Sequence, residues 1–205
     1  MSVAAQCLLG SYHAAYSFFG KKMKPLGTHQ ATLDLPTASR FVLSGQSNLH
    51  VLWFKEHTQS TVKGTYGDNK LIPKSYYFHE TRKNTTVSFA VPAGKYDPIS
   101  FVLNLRLALL AYQNKAAGSS VLVSFPVQLD AKGTTVKAHF NLDKLPTATL
   151  STALGRVKTV IISHTDNKNI RTQYWLAPKY AYFPVQLAGY KQGEMIFMDK
   201  IKSYE

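Results

Sequence analysis

The chain has 205 residues and a mass of 22.9 kDa, enough for one domain with a sizeable core. Its 24 Lys and Arg against 11 Asp and Glu leave a formal net charge of +13, which favours anionic partners in general: nucleic acid, lipid head groups or acidic polysaccharide. The single cysteine, Cys7, excludes an internal disulfide and a multi-cysteine metal site, and no window approaches the ~20 continuous apolar residues of a membrane-spanning helix.

The opening residues, MSVAAQCLLG, carry neither a basic region nor an apolar run of signal-peptide length. They read as a disordered stretch or trimmed leader remnant, residues 1–10, of a single domain spanning 1–205. Tyr12, Ala14, Tyr16 and Phe18 then alternate with period two, the mark of a half-buried strand. The densest basic cluster, Lys21, Lys22 and Lys24 in GKKMKPLG, is short and lies between glycines, so it reads as a solvated turn and nucleic acid is not the expected partner. Further strands are expected over 28–35, 39–46, 49–56, 58–66 and 74–80, and Val87, Phe89 and Val91 alternate again.

The rhythm breaks at KYDPISFVLNLRLALLAYQNKAAG, residues 95–118, which predicts one long apolar helix over about 98–113. Asp97 suits an N-cap, Pro98 the first helical position and Gly118 a stop just beyond the end. Ser100 and Asn104 form a narrow polar stripe, while Ile99, Val102, Leu103, Leu105, Leu109 and Leu110 occupy most of the circumference, so the helix must be largely enclosed. Arg106 projects from an apolar side. Its stem packs and its head reaches water or a carboxylate, or it anchors an anionic ligand group; helix position leaves both readings open.

After the helix, Val121 to Leu129 and Val136 to Leu142 alternate about DAKG, a hairpin signal at residues 130–133. A second hairpin joins 157–164 to 170–177 through DNKN. In RTQYWLAPKYAYFPVQL, residues 171–187, the strand should end over Trp175–Pro178, turn over Lys179–Tyr182 and resume at Phe183, with Pro178 and Pro184 at strand ends because neither can donate to the ladder. Strands over 183–190 and 194–203 complete roughly a dozen. The fold class expected is mainly β: a strongly curved antiparallel sheet or incomplete barrel with the helix packed on its concave side. In the last strand Asp199 interrupts a face of Met195, Phe197 and Ile201 and needs a partner, for which Arg106 is the candidate.

Motif chemistry is sparse. No two of the seven histidines have the HExxH spacing, and no G-x-S-x-G elbow, phosphate loop or dinucleotide glycine pattern occurs. No catalytic residue, metal ligand or cofactor is therefore expected. The candidate ligand-binding residues are Arg106, Leu105 and Leu109 on the helix, with the aromatic side chains of Trp53 and Trp175.

Four stretches, TYGDNKLIPKSYYF (65–78), YDPISFVLNLRLALL (96–110), LGRVKTVIIS (154–163) and YWLAPKYAYFPVQLAGYKQG (174–193), occur in the order seen in a bacterial family of exported proteins, domain of unknown function 3108, which the chain resembles from about Tyr12 onward. The Asp-Pro-Ile-Ser start of the helix departs from that family's Asp, variable, Leu-Ser form, while Asp97, Ser100 and Arg106 match. The resemblance implies a periplasmic protein of Gram-negative bacteria whose signal peptide has been removed, and it brings no catalytic residue. The expected function is non-enzymatic binding of a lipid-like, hydrophobic or amphiphilic molecule between sheet and helix, in an architecture similar in outline to half-barrel lipoprotein carriers. The alternatives are a module binding an envelope protein or anionic polysaccharide through its basic surface, and an unrecognised hydrolase.

Overall fold

The computed structural model describes residues 9–51, 54–67, 69–113, 122–142, 145–166 and 168–205. Six strands come first: β1 (Tyr12–Gly20), β2 (Pro25–Thr37), β3 (Arg40–Val51), β4 (Phe54–Gly67), β5 (Lys70–Glu80) and β6 (Thr85–Ala90). The helix α1 (Phe101–Gln113) follows, then β7 (Leu122–Gln128), β8 (Thr135–Asn141), β9 (Thr147–Thr152), β10 (Gly155–Thr165), β11 (Ile170–Ala177), β12 (Phe183–Lys191) and β13 (Glu194–Tyr204). Eleven strands form one antiparallel sheet in the order β6-β5-β4-β3-β2-β1-β13-β12-β11-β10-β9, and β7 and β8 form a separate hairpin. Among the described residues the large sheet does not close on itself.

The alternation read from sequence places its residues as expected in β1, where Tyr12, Ala14 and Tyr16 are buried and His13 is exposed. Three strands expected over 39–46, 49–56 and 58–66 are instead two long ones, β3 and β4. The polar residues that looked like a break pair across the ladder, with His57 Nδ1 2.8 Å from Asn48 Oδ1. The turn between these strands lies outside the described residues. The strand β9 was not expected at all. Its run TATLST offers only Ala148 and Leu150 to the core, but as an edge strand paired with β10 alone it needs to bury just one face. Bulges at Ala15/Tyr16, Phe18/Phe19, Lys63/Gly64, Trp175/Leu176 and Gly189/Tyr190 bend and twist the sheet. At Gly64 a Cβ would stand 2.3 Å from the Ile72 carbonyl oxygen and 2.5 Å from the Phe41 ring, so only glycine lets the ring lie on the strand there.

Both hairpins read from DAKG and DNKN are present. Asp130 accepts from the Thr134 amide at 3.0 Å, and Asp166 accepts from the Lys168 and Ile170 amides at 2.8 and 2.9 Å. The aromatic stretch also turns where expected: β11 ends at Ala177, a single 3-10 turn spans Pro178–Tyr180, and β12 starts at Phe183.

The helix is shorter than expected, thirteen residues and about 20 Å, because Pro98–Ser100 form a separate turn ahead of it. Asp97 caps that turn, its Oδ1 accepting from the Ile99 and Ser100 amides at 3.0 and 2.9 Å and its Oδ2 from the Ser100 hydroxyl. Two apolar cores meet on α1. Leu103 and Leu107 join the concave face of the large sheet with Tyr12, Leu43 and Val91, while Phe101, Leu105 and Leu109 pack with Phe125 and Phe140 of the β7–β8 hairpin and Ile162 and Leu176 of the sheet.

The narrow polar stripe is buried as well. Asn104 donates from Nδ2 to the Leu71 carbonyl at 2.9 Å and accepts the Leu71 amide on Oδ1 at 3.0 Å, so it occupies a stretch of β5 that β6 leaves unpaired. Asn104→Leu should therefore orphan both Leu71 backbone groups and destabilise by about 2 kcal/mol. A urea midpoint equal to that of the native chain would show that the side chain does not hold the helix to the sheet.

Candidate functional site

The third face of α1 and the turn before it carry Ile99, Val102, Leu103 and Arg106, which recur at helical spacing and look across at the concave side of the sheet. Between them lies a half-open cavity of about 230 Å³. It is larger than the ~150 Å³ cavities that hold benzene and smaller than the ~300–1,000 Å³ sites of drug-sized ligands. The sheet supplies Ala31, Leu43 and Leu187 as apolar wall, with Tyr16, His29, Ser44, Ser60 and Asp199 as polar groups. Among the described residues that line it, Arg106 is the one Lys or Arg and Asp199 the one acid.

Arg106 is 1% exposed. Its Nε donates to the Ala181 carbonyl at 3.1 Å, and its guanidinium carbon stands 5.1 Å from the centre of the Phe183 ring and 5.5 Å from that of Tyr12. The hydroxyls of Tyr12 and Tyr204 also face it. Burial lowers its pKa, and the neighbouring tyrosines oppose that shift. Nη1 is left with no hydrogen-bond partner among the described residues. The carbonyl that holds Nε belongs to a strained turn: Ala181 and Tyr182 both adopt left-handed backbone, with φ of 49° and 56°.

Asp199, 8% exposed, has an equally unpartnered Oδ1, and burial raises its pKa to about 7. The expected ion pair with Arg106 is therefore not formed. Stacking on Phe183 and the bond to Ala181 draw the guanidinium toward the β11–β12 turn, whereas Asp199 is fixed on β13 opposite Phe18 and Leu187. Tyr16, whose hydroxyl donates to the Pro184 carbonyl at 2.9 Å, feels both charges. Burial is the main cause that holds its pKa well above the ordinary tyrosine value, so it stays neutral. His29, whose pKa burial lowers, is neutral too and contacts Ser47 Oγ through Nδ1 at 2.9 Å.

Of the residues proposed from sequence, only Arg106 reaches this cavity. Leu105 and Leu109 are not part of the lining: with Phe101 they make the adjoining side of α1, which packs into the core under the β7–β8 hairpin. Trp175 is packed in the main core, away from the lining, and Trp53 lies outside the described residues. The contributions of Tyr16, His29, Ser60 and Gly45 were not foreseen. For Gly45 a signal existed, since a glycine inside a strand marks a place where something approaches closely.

Among the described residues no three His, Cys, Asp or Glu side chains converge on a metal-sized site, and no helix is long and apolar enough to cross a membrane. A solved structure carries the same architecture. It is a β-barrel-like protein of domain of unknown function DUF1849 from Brucella abortus, which aligns over 96% of this chain and 98% of its own with a TM-score of 0.56 at 10% identity. The two share a fold. No family model and no curated protein matches the chain.

A Cβ on Gly45 would meet the Ser60 hydroxyl at 2.7 Å, a group that can rotate away, and would come within 4.0 Å of the His29 ring, another lining residue. Gly45→Leu should thus fill the cavity from the β3 side, abolishing uptake of an apolar probe while the circular dichroism of the sheet is kept. Undiminished probe binding in a folded Gly45→Leu chain would place the binding elsewhere.

Proposed function

We infer that the protein binds a hydrophobic or amphiphilic small molecule in the cavity between α1 and the concave face of the sheet, and that it does so without catalysing a reaction. The observation that carries this reading is that one apolar and half-open cavity is lined by two buried ionisable side chains, each with an atom the fold leaves without a hydrogen-bond partner: Nη1 of Arg106 and Oδ1 of Asp199. A buried polar atom without a hydrogen-bond partner costs about 1–3 kcal/mol, and a protein that keeps two of them on the lining of one cavity retains them for what enters. The wall is otherwise apolar, so the body of the ligand gains about 0.8 kcal/mol for each methylene it buries. Eight methylenes then supply about 6 kcal/mol before the costs of binding, so a single-chain ligand needs its polar contacts as well to bind at micromolar concentrations. The resemblance to domain of unknown function 3108 supports a periplasmic site of action, which fractionation of cells by osmotic shock tests directly.

The binding itself is tested by titrating the protein with a fluorescent fatty acid at low and at high salt. Saturable binding that survives moderate salt is expected, because burial of apolar surface is screened little, whereas attachment through the +13 charge would weaken steeply. Absence of saturable binding at both salt concentrations would overturn the reading and favour an envelope interaction module acting through the basic surface.

A further inference from the structure

The two unpartnered groups differ, and together they describe a ligand. Nη1 of Arg106 is buried and meets no hydrogen-bond partner among the described residues, while Nε donates to the Ala181 carbonyl and the guanidinium lies beside Phe183 and Tyr12. One such nitrogen is enough for a carboxylate oxygen. A phosphate carries more negative charge than one guanidinium balances, and no second Lys or Arg lines the cavity among the described residues. The wall thus accommodates one negative charge. Asp199 needs something else, since a second anion beside it would be repelled.

Oδ1 of Asp199 lacks a partner, and burial favours the protonated acid, so a group that meets it must serve the neutral as well as the ionised form. An ammonium satisfies only the ionised acid. A hydroxyl donates to the carboxylate and accepts from the neutral acid, and so fits both. The volume adds a third limit: about 230 Å³ is room for about eight water-sized groups, which suits one short chain and excludes enclosure of a two-tailed lipid.

We propose that the cavity takes a single-chain hydroxylated carboxylic acid, its free carboxylate accepting from Arg106 Nη1 and its hydroxyl bonded to Asp199 Oδ1. This rests on the cavity being the binding site, as inferred above, and names the class of molecule that fills it. The acid binds unesterified, which separates it from the same chain held in a lipid.

Calorimetric titrations with octanoate, β-hydroxyoctanoate, ω-hydroxyoctanoate, methyl octanoate and octanol test it. One of the two hydroxy acids should bind at least about tenfold more tightly than octanoate, the effect of one added hydrogen bond to a buried group. In Asp199→Leu that advantage should vanish, the hydroxy acids then binding no more tightly than octanoate binds to the same variant. Octanoate should bind the native chain at least about tenfold more tightly than its methyl ester, and Arg106→Met should erase that difference. The native-chain comparisons need no variant and stand even if one fails to fold. Equal binding of octanoate and both hydroxy acids, a hydroxyl advantage that persists in Asp199→Leu, or an ester as good as the acid would each overturn the proposal. If octanol binds saturably in those cases, the cavity is a binding site for another class; if neither octanol nor any acid binds, both readings fall.

Discussion

Leu105→Ala and Leu109→Ala should each lower the free energy of unfolding by about 2–5 kcal/mol, the largest single-residue effect expected on the helix. Leu105 is fully buried and Leu109 1% exposed, and both sit in the core that joins α1 to the β7–β8 hairpin and the sheet. Their neighbours are rings: Phe101 stacks on Phe140 at 6.3 Å between centres, and Phe125 lies 6.1 Å from Phe140. Rigid aromatic walls collapse poorly into a vacated methyl space, so the cost should fall in the upper part of that range. Because these leucines face away from the ligand cavity, ligand affinity should be unaffected where the variants remain folded. Urea denaturation gives the first quantity and a probe titration the second. An unchanged midpoint for both variants would mean that the helix is not packed as described.

The second large effect is a dependence on pH. In the folded chain Asp199 titrates at about 7, whereas its ordinary value is 3.8, and burial is the cause. The folded state keeps a proton that the unfolded state releases. The stability linked to this group is therefore fully present below about pH 4 and is lost as pH rises toward 7. The gap corresponds to about 4 kcal/mol. His29 and His164 act in the opposite sense, since burial lowers their pKa and acidification makes the folded state resist protonation. The comparison with Asp199→Asn isolates the aspartate: the urea midpoint of the native chain should fall between pH 5 and 8 relative to that of the variant, and at pH 8 the variant should be the more stable. Parallel curves for the two proteins would show that Asp199 is not held in a water-poor place.

Much of the fold was legible because alternation is local. A strand that buries one face writes it at every second residue, as Tyr12, Ala14 and Tyr16 do, and the two aspartate turns announce themselves through side chains that bond their own backbone. What failed locally was β9, where an edge strand requires only Ala148 and Leu150, and the break imagined near Asn48 and His57, which are polar because they pair across two strands at the open end of the ladder. The cavity was less legible than the fold. Arg106 stood out as a charge on an apolar helix, but which helical face meets the hairpin and which meets the sheet depends on the position of β7 and β8, and nothing in residues 98–113 encodes that. Hence Leu105 and Leu109 looked like ligand wall and proved to be core, while Val102 and Leu103, equally apolar in sequence, form the wall. Asp199 was recognised as needing a partner; that Arg106 does not serve it depends on the ring of Phe183, which draws the guanidinium away and is placed by the turn at Ala181.

The order of the sheet has a consequence for how the chain is made. Every neighbouring pair in the eleven strands is consecutive in sequence except β1 with β13, which meet at its centre. The blocks β1–β6 and β9–β13 can each form as a local meander, but the halves cannot join until β13 has emerged, tens of seconds after β1 at ordinary rates of synthesis. For that interval one side of β1, bearing Tyr16, Phe18 and Phe19, is an unpaired edge able to template strands from other copies. Nascent chains are thus most prone to self-association in the interval before β13 emerges. Translation halted ahead of Glu194 should give product that pellets, and release of the remaining eleven-residue strand should restore solubility.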